Sequence, residues 1–313
     1  MDIQQPSRIS VIDPIRPAIE RVKLLLFKPF DISKWFVIGF CACLAYLGTG
    51  GGGGSGPPHC NIPYKPHEQA KITEGINTAK EYILNNLYWI IPAVVVVAVV
   101  TIGISLLIVW LNSRGRFMFL HCVAENKAEV KVPWHKFRKH GNSLFLFRIV
   151  LGIIGFAVTI VPAAGIILLI IATASKAILL IVSIPGIIFC GLILFAILIA
   201  MSLVRKFTFD FVVPIMFLRT ASCTAGWREF LTILSVNKAR FALYILFQIV
   251  IAIAIGVIIS LGFCIGCCLC CASLLLLIPY IGTVILLPLL VFKRAYSLYY
   301  LRQFGSTFDV FHL

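Results

Sequence analysis

Five cysteines near the end of the sequence are its most unusual group of side chains capable of chemistry, in the run Cys264-x-x-Cys267-Cys268-x-Cys270-Cys271. Closely spaced thiolates bind zinc or iron–sulfur clusters, and thiols near a membrane surface are acylated. No basic residue stands nearby to stabilise a thiolate, and the run overlaps Gly262-x-x-x-Gly266, a spacing that favours close helix packing. We therefore favour packing of small side chains over metal binding and acylation at this cluster.

Two further groups with ligand-binding residue types follow the first apolar stretch. The glycines of residues 48–56 contain a Gly-x-Gly-x-x-Gly spacing, but a phosphate-binding loop needs a strand before it and a helix after it. An apolar stretch precedes these glycines and prolines follow them, which indicates a flexible hinge. His59, Cys60 and His67 supply only three of the four ligands of a structural zinc site. The sequence predicts a polar loop here, with no metal and no cofactor.

No arrangement of catalytic residues is recognisable elsewhere, so we expect that the protein is not an enzyme. The chain contains no His-Glu-x-x-His, no Gly-x-Ser-x-Gly and no P-loop lysine. Asp210 lies in the apolar residues 207–214, which are too few to cross a membrane and are predicted to form a short interfacial or re-entrant helix. Asp210 is predicted to pair with Arg219. Within the six long apolar stretches, the one charged side chain is Arg148, which can extend to the membrane surface.

The composition predicts the elements that would position these residues. Hydrophobic residues make up 60 % of the chain, charged residues 12 %, and the mean hydropathy is +1.02, whereas a soluble domain is roughly 45–50 % apolar. We predict an all-α polytopic membrane protein, with a basic amphipathic segment at 1–34, a membrane domain at 35–292 and a tail at 293–313. Six transmembrane helices are expected at about 35–54, 88–111, 144–174, 177–204, 241–261 and 269–292.

Basic residues alternate between the two sides of this predicted membrane domain. Of the 27 lysines and arginines, 22 lie in the amino terminus, the second and fourth loops and the tail. Basic flanks resist translocation, so both termini are predicted to be cytoplasmic. The net charge of +15 borders the apolar stretches rather than forming one patch, which favours anionic lipid headgroups on the cytoplasmic side over nucleic acid as the partner. The alternative partner is another membrane protein.

Aromatic and basic residues recur before the first, third and fifth apolar stretches, as in Trp134-x-x-Phe137 and Trp227-x-x-Phe230. We predict eight anchors at the membrane interface, namely Trp35, Trp134, Lys136, Phe137, Arg138, Trp227, Arg228 and Phe230. The recurrence suggests three parallel repeats, each an interfacial amphipathic helix followed by a two-helix hairpin. Because any cytoplasmic interface selects these residue types, chance is an equal alternative.

Several segments carry a resemblance to known membrane proteins. They are Lys28-Pro-Phe-Asp-Ile-Ser-Lys-Trp35 before glycines 48–54, Ser113-Arg-Gly-Arg-Phe-Met-Phe119, Asp210-Phe-Val-Val-Pro-Ile-Met216, Ala225-Gly-Trp-Arg-Glu-Phe230 and Lys293-Arg-Ala-Tyr-Ser-Leu-Tyr-Tyr-Leu-Arg302. The pattern resembles an uncharacterised family of bacterial polytopic membrane proteins, and distantly the membrane domain of some glycerophosphodiester phosphodiesterases. Those enzymes carry their catalytic residues in a separate soluble domain, so the resemblance implies a multi-pass protein of the bacterial inner membrane without a known reaction.

Two functional hypotheses follow. The first is a non-enzymatic membrane protein that organises lipid or a partner complex, because basic and aromatic segments border apolar stretches free of central charge. The alternative is a transporter or channel-like permease for a solute or lipid, because of the suggested repeat and the prolines and glycines within the stretches.

Overall fold

The computed structural model describes residues 9–48, 85–175, 180–268 and 278–311, and every regular element in these ranges is helical. The helices are α1 (Ile15–Leu26), α2 (Ile32–Tyr46), α3 (Leu87–Glu125), α4 (Lys131–Lys136), α5 (Arg138–Ser175), α6 (Leu180–Phe207), α7 (Val213–Arg219), α8 (Cys223–Val236), α9 (Lys238–Cys268), α10 (Pro279–Ile285) and α11 (Leu287–Arg302). The predictions for His59, Cys60, His67, residues 49–56 and the last two cysteines of the cluster lie outside the described residues.

Four helices in the described ranges are long and apolar enough to cross a membrane, at Leu87–Glu125, Arg138–Ile171, Ile184–Arg219 and Lys238–Gly262. In the described part of the first predicted span, residues 35–48, the helix is α2, which has 15 residues and ends at Tyr46. The last one is represented by α10 and α11, which meet at Leu286. The structure therefore supports an all-helical protein with four candidate spans.

Residues 207–214 do not form the separate short helix expected from the sequence. A π-helical turn, Thr208–Val212, joins α6 directly to α7, so that one helical rod runs from Leu180 to Arg219. The rod ends at Thr220, whose φ of 49° places it in the left-handed region. Asp210 lies inside the π turn, which places a carboxylate where the backbone departs from α-helical hydrogen bonding.

The buried side chains gather at one end of the long helices. Aromatic rings from α3, the rod, α8, α9 and α11 lie there together with Phe137, which stands between α4 and α5. They include Phe117, Phe211, Phe230, Tyr244 and Tyr300. In the most apolar stretch of each candidate span, by contrast, only 0–11 % of the residues are buried. The charge distribution predicts that the packed end is the cytoplasmic one.

Close contact between α2 and α3 depends on Gly115. A Cβ atom at this position would lie 2.5 Å from the backbone carbonyl carbon of Leu44 and 2.6 Å from the backbone nitrogen of Ala45. Only a residue without a side chain permits this approach, which brings α2 within hydrogen-bonding distance of the polar residues of α3.

The amino-terminal helix belongs to the same packed end. Ala18 and Leu25 of α1 are fully buried, and the Arg21 guanidinium donates hydrogen bonds to the carbonyl oxygens of Val123 and Ala124, at 2.9 and 2.6 Å. The predicted domain boundary at residues 292 and 293 falls within α11, a continuous helix.

Candidate functional site

Asn112 of α3 joins three helices through hydrogen bonds at the packed end. Its Nδ2 donates to the carbonyl oxygens of Ala45 and Leu47, at 2.7 and 2.8 Å, and so satisfies carbonyls at the end of α2. Its Oδ1 accepts from Arg116 Nε at 2.9 Å and from Arg148 Nη1 of α5 at 2.6 Å. The side chain is completely buried, so its hydrogen-bonding groups depend on these protein partners.

Three arginines surround Phe209 of the π turn. The guanidinium carbons of Arg116 and Arg148 lie over its ring, 3.2 and 5.2 Å from the centroid. The Arg294 side chain of α11 donates to the Phe209 carbonyl oxygen. We name Asn112, Arg116, Arg148, Phe209 and Arg294 the polar junction, because these residues connect α2, α3, α5, the rod and α11.

A second group of polar side chains lies next to the polar junction, since Asp210 directly follows Phe209 on the rod. Lys206 Nζ is 2.9 Å from Asp210 Oδ2, which also accepts a hydrogen bond of 3.1 Å from the Tyr244 hydroxyl. Gln248 completes a ring of contacts, since its Nε2 donates to the Tyr244 hydroxyl and its Oε1 accepts from Lys206. The ring ties the rod to α9.

The predicted ion pair between Asp210 and Arg219 is therefore wrong. Asp210 pairs with Lys206, four residues earlier on the same helix, and Arg219 contacts Glu229 of α8 at 3.2 Å. Helical spacing explains the difference, because residues four apart lie on one face whereas residues nine apart do not share a neighbouring turn.

Positive charge exceeds negative charge at the polar junction. Within the described part of the chain, no carboxylate lies within ion-pair distance of Arg116, Arg148 or Arg294. Asp210 is engaged by Lys206, and Lys293 adds another cation beside it. Buried cations are costly without a counter-charge, which makes this region the strongest candidate for an anionic ligand.

An apolar cleft of about 950 Å³ opens beside the junction, between α3, α5 and the rod. Its volume lies within the usual range for small-molecule sites. Arg148, Arg205 and Phe209 are the lining residues nearest the packed end. Its walls are almost entirely apolar, formed by residues that include Ile102, Leu106, Val109, Ile149, Ile153 and Phe156. The cleft therefore combines a cationic end with an apolar trough.

The eight predicted interface anchors divide into three groups by exposure. Lys136, Arg138 and Arg228 are exposed, whereas Trp35, Trp134 and Trp227 are half-buried. Trp35 Nε1 donates to the Leu26 carbonyl oxygen at 2.7 Å, and the ring of Trp134 lies 4.9 Å from the guanidinium carbon of Arg114.

Phe137 and Phe230 form the third group, because both are buried inside the protein. Phe137 is 4 % exposed and stacks on Phe217 at 4.8 Å, and Phe230 is fully buried and stacks on Phe211 at 5.3 Å. Both rings fill the core between helices. Their aromatic character suits an interface and a core equally, so residue type alone did not distinguish them.

Sequence reasoning missed the polar junction itself. Arg148 was expected to extend to the membrane surface, but it bonds to Asn112 and Ser113 inside the protein. The available signal was the spacing of Asn112 and Arg116, four residues apart directly after a long apolar stretch, which puts both on one helical face. Among the residues described, no three His, Cys, Asp or Glu side chains are grouped to hold a metal ion.

Comparison with known proteins identifies one family. Residues 9–281 match a family described as "Family of unknown function (DUF7544)". No curated protein and no solved structure matches the chain.

Proposed function

Since this chain belongs to the family of unknown function DUF7544, we propose its role from its own geometry: it is a non-enzymatic integral membrane protein that organises anionic lipid. The observation that carries the proposal is the cleft of about 950 Å³, with Arg148 and Arg205 at one end and apolar walls along its length.

The chemistry of the cleft matches that of a phospholipid. A guanidinium group binds phosphate through paired N–H donors, and two arginines at one end favour an anionic headgroup. The apolar walls suit an acyl chain, because they are formed by aliphatic side chains and Phe156. Thr101 and Ser105 also line the cleft, but their hydroxyls donate to carbonyls of their own helix and add no unsatisfied donor to it.

The proposed setting is the inner membrane of a bacterium, with both termini in the cytoplasm. The clustering of Lys and Arg supports this orientation, which would place the cationic end of the cleft at the leaflet rich in anionic lipid. We also propose six membrane passages in three parallel units. The short helix α4 before the two long helices α5 and α6 supports one such unit.

Lipid retention tests the proposal. The full-length protein is purified gently from membranes and placed in nanodiscs containing equal amounts of phosphatidylglycerol and phosphatidylcholine, and native mass spectrometry counts the lipids that stay bound. We expect preferential retention of phosphatidylglycerol. Arg205→Gln should weaken that preference about fivefold, since a basic residue near the membrane surface contributes about 1 kcal/mol. Arg240→Gln, an exposed arginine that neither lines the cleft nor belongs to the eight predicted interface anchors, is the matched control.

A steric variant tests the trough separately. Gly152 lines the cleft, and a Cβ atom there would meet no atom within 4 Å, so Gly152→Leu fills empty space without a clash at its first carbon. Gly103 on α3 has equally open surroundings but does not line the cleft, which makes Gly103→Leu its control. Loss of bound lipid in Gly152→Leu alone supports the proposal. Equal retention in both glycine variants and in Arg205→Gln would refute it.

Transport of a solute or lipid is the second candidate. The π turn supports it, because such turns interrupt helices at functional sites and here one lies beside buried charges. Reconstituted vesicles distinguish the two roles: protein-dependent movement of a labelled phospholipid between leaflets, abolished by Gly152→Leu, would favour transport. Bound lipid without such movement would favour organisation.

A further inference from the structure

A second, much smaller cavity lies at the packed end, lined by residues of α2, α3, the rod and α11. Its volume is about 20 Å³, enough for one particle the size of a water molecule. Its lining residues are Ala45, Tyr46, Arg116, Phe119, Phe209 and Arg294. Phe209 is the residue that it shares with the cleft.

Two arginines from different helices thus meet at one small space. Each is held by a contact that leaves donors over: Arg116 uses Nε to bond Asn112, and Arg294 uses Nη1 to bond the Phe209 carbonyl. A guanidinium group has five N–H donors. Arg294 is 8 % exposed, so bulk water does little to solvate its remaining donors.

The surrounding charges do not balance this pair. Arg148 and Lys293 are also cations, whereas the nearby carboxylate, Asp210, is a single negative charge that Lys206, Arg294 and Lys293 share. Buried like charges repel one another, and a protein places such groups together at low cost only where an anion compensates them.

We propose that this cavity binds a single monatomic anion, a halide such as chloride, between the side chains of Arg116 and Arg294. The volume of the cavity selects this class, because a phosphate or carboxylate group has several heavy atoms and does not fit a space for one particle. The apolar atoms of Ala45 and Phe119 complete the wall and favour a weakly hydrated ion. The site shares Phe209 with the lipid cleft but none of its arginines, so either assignment can fail without the other.

Halide dependence of thermal stability tests the site. The melting temperature of the purified full-length protein is measured in sodium chloride, sodium bromide and sodium gluconate at equal ionic strength. A ligand that binds only the folded state raises the melting temperature as its concentration rises. We expect this rise with chloride and bromide but not with gluconate. Arg116→Gln and Arg294→Gln should each weaken the apparent affinity by about tenfold or more, and Arg228→Gln should not.

Bromide location provides a measurement that does not depend on the variants folding. Crystals of the unmodified protein grown in bromide should show an anomalous peak between Arg116 and Arg294. No peak together with equal melting temperatures in the three salts would overturn the proposal and assign the cavity to water. A peak in the cleft, beside Arg148 and Arg205, would also overturn it, because the anion would then occupy the proposed position of the lipid headgroup.

Discussion

Replacing Asn112 by alanine should lower the free energy of unfolding by about 2–4 kcal/mol, because one side chain forms four hydrogen bonds at the polar junction. Two of these bonds satisfy carbonyls of α2, and two hold the guanidinium groups of Arg116 and Arg148. The substitution removes all four and introduces no group that can replace them.

The magnitude follows from the environment of these bonds. Hydrogen bonds between helices in membrane proteins contribute roughly 0.6 kcal/mol each on average, which gives the lower figure for four. Bonds to charged groups are stronger, about 1.5–3 kcal/mol, and two of the four involve arginines. In the variant, Arg148 keeps its hydrogen bond to Ser113, which limits the loss of stability to about 4 kcal/mol.

The assay is unfolding of the purified protein in mixed micelles with increasing sodium dodecyl sulfate, followed by tryptophan fluorescence. Asn142→Ala is the matched control, since Asn142 is exposed and accepts one bond, from Arg114 at 3.2 Å; it should change stability by less than about 0.5 kcal/mol. A double-mutant cycle with Arg148→Gln should give a coupling energy of about 1 kcal/mol. Equal effects of the two asparagine substitutions, or zero coupling, would refute the assigned role of Asn112.

Two further predictions concern helix packing and a buried thiol. Gly115→Ala should destabilise the protein by about 1–3 kcal/mol, because the added Cβ would collide with the backbone of α2. Gly103→Ala, in open surroundings, should stabilise the protein by about 0.5–1 kcal/mol. The same micelle titration measures both variants, and a stabilising Gly115→Ala would contradict the close approach of α2 and α3. Burial raises the pKa of the Cys223 thiol from 9.0 to about 12, so its contribution to stability is fully present below pH 9 and is lost as the pH rises towards 12. Iodoacetamide at pH 8 should therefore modify Cys223 slowly in the folded protein and rapidly after denaturation, and equal rates would contradict its burial.

Much of the helical architecture could be predicted from hydropathy. The start of α3 at Leu87 lies one residue from the predicted start at 88, because a long apolar run with tryptophan near its beginning is an unambiguous signal. The same helix continues to Glu125, well past the predicted end at 111. The apolar run used for the prediction ends just before the polar residue Asn112. The helix continues beyond it because Asn112 and Arg116 form hydrogen bonds inside the protein.

The candidate site was harder to predict because it depends on contacts between distant segments. Arg294 bonds to a carbonyl 85 residues away, and no local pattern specifies that contact. Asp210 stood out as an acid in an apolar segment, but the choice of its partner needed the helical register of the rod. Phe137 and Phe230 show the same limit, since their burial follows from which helices pack together.

The concentration of buried side chains at one end has a consequence for how the molecule denatures. Along the apolar stretches of α3 and α9, most side chains face outward, so in a bilayer they contact acyl chains both before and after the packed end comes apart. Water gains access mainly to the packed end, and the increase in heat capacity on unfolding should reflect that end alone. Heating would therefore abolish the near-ultraviolet circular dichroism of the packed aromatic rings while the far-ultraviolet helical signal persists.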